Sequence, residues 1–148
     1  MGNPLISLLF FLAFIGLGVF YALTLQNTLK AISQENREMQ PQMVWLLFIP
    51  IFNFIWQFIV VNKISSSISK ELIKLQDEST VFRPTYGVGI IAAGSWTLGV
   101  VLMQIRVAPT MIMSGLFDLI ALITWIVYWV GVAKYKRKIK ELQAKAAL

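Results

Sequence analysis

MIMSGLFDLIALITWIVYWVGVA, Met111 to Ala133, is followed at once by KYKRKIK, Tyr135 and Ile139 being its only uncharged positions between Lys134 and Lys140. As a helix rising about 1.5 Å per residue, the apolar stretch reaches roughly 35 Å, more than the ~30 Å of a bilayer's hydrocarbon. One acid, Asp118, interrupts it. Trp125, Tyr128 and Trp129 gather toward its end, where amphipathic rings favour the membrane interface. Lys134, Lys136, Arg137, Lys138 and Lys140 then stand where anionic headgroups would be, each worth about 1 kcal/mol. This stretch reads as a transmembrane helix with a basic tail.

Three more apolar runs lie upstream: 4–25, 44–61 and 87–103. The first has no Lys or Arg before it, exceeds the length of a signal-peptide core and lacks a small-x-small cleavage site, so it reads as a span. Composition agrees. Hydrophobic residues make up 57% of the chain and charged ones 14%, against about 25% charged in soluble domains. The expected fold is therefore all-α: one polytopic domain over residues 1–148, with four transmembrane helices at 4–25, 44–61, 87–103 and 111–133.

Sidedness follows from Lys and Arg. With alternating spans, the 26–43 loop (Lys30, Arg37) and Arg106 share one side, and the other ten basic residues share the opposite side. The positive-inside rule then predicts that both termini are cytoplasmic. Beyond Val61, Ile64, Ile68, Leu72 and Leu75 step by four, four and three; beyond Ala133, Tyr135, Ile139, Leu142 and Ala146 step by four, three and four. Both patterns predict helical cytoplasmic extensions of spans two and four, with apolar stripes free to pack on each other or on a partner.

Polar residues within apolar runs are candidates for function. Asp118 lies about 10 Å along its run and Asn53 about 13 Å along the second, at similar depth, so the two could hydrogen-bond. Arg106 is a candidate counter-ion. Such a set is either a structural pair holding helices in register or a proton or cation site. Pro50, Asn53 and Gln57 share a helical face, and Pro50 inside a span predicts a kink. Gly89, Ala93 and Thr97 are spaced four apart with Ser95 and Gly99 alongside, a pattern for close helix packing, as are Gly18 and Ala22.

The exclusions are firmer. There is no cysteine and no histidine, which removes disulfides, thiolate chemistry and the usual zinc ligands. Gly94-Ser95 has no histidine base, only one acid lies at depth, and no phosphate-binding glycine loop occurs. No catalytic residue, metal or cofactor is expected. The net charge of +6 sits mostly beside apolar segments, so it points to lipid rather than nucleic acid.

LQNTLKAISQENREMQPQMVWLLFIPIFNFIWQFIVVNKISSSISKEL, from Leu25 to Leu72, resembles a group of small bacterial membrane proteins with an Asn-Arg-x-Met-x-Pro loop, a Val-Trp-Leu step and an Ile-Pro-x-Phe-Asn helix. The matching residues here are Asn36, Arg37, Met39, Pro41, Val44, Trp45, Leu46, Ile49, Pro50, Phe52 and Asn53. The resemblance covers about a third of the chain. It implies a bacterial inner-membrane location and supplies no activity. The expected function is a non-catalytic accessory or assembly subunit, bound to other membrane subunits or to itself through helix contacts. The alternative is a small homo-oligomeric channel or transporter using Asp118 and the Pro50/Asn53/Gln57 face.

Overall fold

Asn3 caps the first helix by accepting from the Leu5 amide at 3.0 Å, and Pro4 follows in the first turn, where its missing N–H is harmless. This helix, α1 (Pro4–Ala31), ends where Ile32 turns extended. Arg37 then folds back, donating from Nε to the Ile32 carbonyl (2.8 Å) and from its guanidinium to the Lys30 carbonyl (3.0 Å). Those bonds occupy carbonyls that the helix end leaves without partners. A 3-10 turn (Gln34–Asn36) and a 3-10 helix (Pro41–Phe48) lead to α2 (Pro50–Lys74), α3 (Tyr86–Gln104) and α4 (Ala108–Ala146). The computed structural model describes residues 3–77, 82–105 and 108–147. The described residues contain no strand, and four helices are long and apolar enough to cross a membrane. The protein is by that measure an all-helical, multi-pass membrane protein.

Two expectations about the second span are corrected. Its first residues, 44–48, belong to a separate 3-10 helix rather than to α2. Pro50 kinks nothing; it opens α2 at the first helical position. The reason is local. A proline pushes its predecessor out of helical geometry, and Ile49 has φ −82° and ψ 111°, so the chain bends there and restarts as a helix.

That bend changes the path. The 3-10 helix runs back beside α1: the Trp45 indole donates to Gln26 (3.2 Å), and the Phe48 ring sits against Gly18, where an added Cβ would lie 3.4 Å from it. Phe48 thus lies level with a point about 20 Å along α1 from its start. From there α2 returns in the direction of α1. Residues 33–38 consequently pack on 63–74, through Ser33–Glu71, Asn36–Glu71 and Glu38–Lys63 contacts. The alternating scheme put these two segments at opposite ends. They are at the same end, and the C-terminal part of α4 joins them through Gln143, which donates to Ala31 O (3.0 Å) and Glu71 (2.8 Å).

The core lies toward this end. Leu25, Leu29, Ile32, Val44, Val60, Ile64, Ile68, Leu72, Tyr128, Val132 and Ile139 are almost wholly buried. The apolar stripes of α2 and α4 therefore share a core with the last turns of α1, rather than forming a two-helix seam of their own. α3 needs Gly89 to join it. A Cβ there would lie 2.6 Å from Val61 and 2.8 Å from Tyr128.

Candidate functional site

Because α2 begins so far along α1, no fourth helix fills the other end. The gap is a cavity of about 630 Å³ between α1, the 3-10 helix, α2, α3 and α4. Phe14 and Tyr21 of α1, Phe48, Trp96 of α3 and Trp125 of α4 give it aromatic walls. Its polar groups are Asn53, Gln57 and Asp118. Pro50 borders an adjoining pocket that Asn53 also lines.

Each polar group has a different status. Gln57 donates its amide to Thr97 Oγ (3.0 Å) and to Ala93 O (3.4 Å), tying α2 to α3. Thr97 Oγ1 in turn donates to Ala93 O at 2.8 Å. Asn53 Oδ1 is buried with no donor. Asp118 stands exposed to the cavity, its Oδ1 in the space that a Gly99 side chain would need. The expected Asn53–Asp118 hydrogen bond is absent: the two share a cavity and leave it open between them. Arg106, the expected counter-ion, lies outside the described residues.

The small-residue pattern of α3 divides by role. Gly89 and Ala93 face the core, Gly99 makes room for Asp118, and Thr97 serves Gln57. Ser95 is half-buried. On α1, Gly18 receives Phe48 and Ala22 is fully buried. A lock of rings joins α1 to α4 beside the cavity: Tyr21 meets Trp125 at 5.1 Å and Trp129 at 5.7 Å between centroids, and Trp129 donates to Thr24 at 2.9 Å.

Sequence reasoning missed a second polar centre at the core end. Glu71, buried to 1% exposure, receives four hydrogen bonds: Ser33 N (3.1 Å), Ser33 Oγ (2.8 Å), Asn36 Nδ2 (2.7 Å) and Gln143 Nε2 (2.8 Å). Donors aimed at both oxygens stabilise the carboxylate form. One residue thereby joins α1's exit loop, α2 and α4. Beside it, Glu38 pairs with Lys63 (3.3 Å) and Lys70 (2.9 Å) and accepts from Ser66 (2.7 Å). Lys70 above all, with Ser66, pulls the Glu38 pKa down from 4.5 to about 2 against the opposing effect of burial. The signal available in the sequence was Asn36-Arg37 itself: two polar residues that the fold spends on Glu71 and on the end of α1. Of the basic tail, Lys138 is committed to Asp77. Lys134, Arg137 and Lys140 are exposed and Lys136 half-buried, as headgroup contact requires.

No family model, curated protein or solved structure gives a significant match to this chain.

Proposed function

We propose that this protein is a non-catalytic membrane subunit that works through helix contacts in the outer half of the bilayer, in an accessory or assembly role. The supporting observation is α1. Every residue from Asn3 to Ile15 is exposed, on all faces of the helix, with Leu5, Phe10 and Phe14 at 67%, 74% and 76%. A helix packed within its own chain shows one covered face; this half shows none, and the cavity lies beside it. Another transmembrane helix seated there would gain packing that lipid gives less well.

Purification from the native membrane in mild detergent, with the particle's mass and composition measured, tests this. Other polypeptides in fixed ratio support the reading. A particle of this chain alone overturns it.

The path of the chain supports a specific topology: α1, α3 and α4 cross, while the 3-10 helix and α2 enter and leave by one face. Twelve of the thirteen Lys and Arg then belong to segments at the core end, all but Arg106. The positive-inside rule favours a cytoplasmic core end, with the N-terminus outside. The chain has no cysteine, so single Asn3→Cys, Gln34→Cys and Lys145→Cys variants can be labelled with an impermeant maleimide. Residues 34 and 145 should label from one side and residue 3 from the other. Residues 3 and 145 on one side would restore the alternating scheme. The resemblance of the 25–72 segment supports the bacterial inner membrane as the location.

The cavity favours a second reading, a small homo-oligomeric channel or transporter in which Asp118 serves the solute. Three crossing helices and a fourth that enters and leaves by one face are too few to enclose a wide pore, so this reading requires several copies.

A further inference from the structure

We propose that the cavity binds a lipophilic organic cation, an onium or protonated amine with a bulky apolar body, whose charge rests on Asp118. The proposal rests on the second reading above and names its ligand class. Volume comes first: about 630 Å³ lies inside the range of roughly 300–1,000 Å³ typical of small-molecule sites. Polarity is next. Asp118, exposed and lining the chamber, is an acceptor when ionised, and Gln57 uses its amide hydrogens on Thr97 and Ala93. Among the described residues no Lys or Arg lines the chamber, and none forms an ion pair with Asp118. Among the described lining residues Asp118 alone carries a charge, and it asks for a positive partner.

The walls select the kind of cation. A hard metal ion wants six or more oxygens, and no group of three acids exists among the described residues. Phe14, Tyr21, Phe48, Trp96 and Trp125 instead line it with aromatic rings, whose faces attract organic cations and cover apolar bodies. Depth excludes a lipid headgroup as the source of that charge. Asp118 lies ten residues into α4, about 15 Å from its start, where a headgroup tethered to the interface does not sit. A free, membrane-partitioning cation reaches it laterally, past the uncovered half of α1.

Equilibrium dialysis of tetraphenylphosphonium against the protein in phosphatidylcholine nanodiscs, with empty discs as the blank, tests the site. Saturable binding of one cation per chain is expected. Asp118→Asn should weaken it at least tenfold, Asp118→Glu should retain most of it, and neutral triphenylmethane should not displace the cation. Binding equal to that of empty discs, full binding by Asp118→Asn, or displacement by triphenylmethane would overturn the proposal. If Asp118→Asn loses its helical circular dichroism, the wild-type competition decides. Saturable, charge-dependent binding without flux in vesicles supports the site while removing the transport reading.

Discussion

The two ends of this molecule solve the problem of polar groups in opposite ways. At the core end Glu71 has four donors, Glu38 has two lysines and a serine, and Arg37 closes α1. Every one of these bonds joins segments that are distant in sequence or ends a helix. At the other end Asp118 faces a cavity, Asn53 Oδ1 is buried without a donor, and the first half of α1 stands uncovered. A polar group satisfied within the chain fixes structure; one left open beside lipid is available to something that arrives. The difference places the hydrogen-bonded polar network at one end and the open cavity at the other.

The sharpest way to break the comparison is Glu71→Leu. It strands the donors of Ser33, Asn36 and Gln143 in a buried site, where each orphan costs about 1–3 kcal/mol. A loss of about 3 kcal/mol or more is expected in the unfolding free energy measured in mixed micelles. Asp118→Leu, by contrast, should leave that value unchanged or raise it, because no described residue is a hydrogen-bond or ion-pair partner that the change would strand. If Asp118→Leu destabilises as much as Glu71→Leu, the division between the ends fails.

Gly89→Val comes next. Its side chain would overlap Val61 and Tyr128, so α3 must shift at a cost of about 1–3 kcal/mol. The same change at Gly94, whose added Cβ meets nothing within 4 Å, should be close to neutral in the same assay. Gln57→Leu should cost less, about 0.6–2 kcal/mol, since it removes one interhelical amide bridge to Thr97 and Ala93.

The smallest effect is expected with pH. Glu38 has a folded-state pKa near 2, below its ordinary 4.5, so its contribution is complete above about pH 4.5 and declines as pH falls toward 2. The unfolding midpoint should therefore drop between pH 5 and pH 3. Lys70→Ala should shrink that drop, because Lys70 is the main cause of the shift. An unchanged pH profile in Lys70→Ala would show that the pairing contributes nothing in solution.

Much of the architecture was legible in particular residues. The Met111–Ala133 run, its basic flank and the steps at Ile64, Ile68, Leu72 and Ile139 foretold long apolar helices with buried stripes, since periodicity and length are local properties. Gly89 stood out by its small-residue spacing, and an added Cβ there would meet Val61 and Tyr128; Gln57, read as an intramembrane polar candidate, donates to Thr97 and Ala93. The start of the second span was harder to read, because eight residues of 3-10 helix before Pro50 have the same apolar composition as a helix.

What the sequence determined by itself is the solvent and the chemistry. The long apolar runs call for a bilayer, and the absence of cysteine and histidine removes most reactive centres. What only the tertiary structure decided is direction: Pro50 begins a helix instead of bending one, so α2 runs alongside α1. Proline's geometric demand is the same in both cases, and neighbours distant in the chain choose between them, with Gly18 receiving Phe48 and Ser33 and Asn36 holding Glu71. The cavity at Asp118 follows from that choice, because a helix that starts halfway along its neighbour leaves the other half of its place empty.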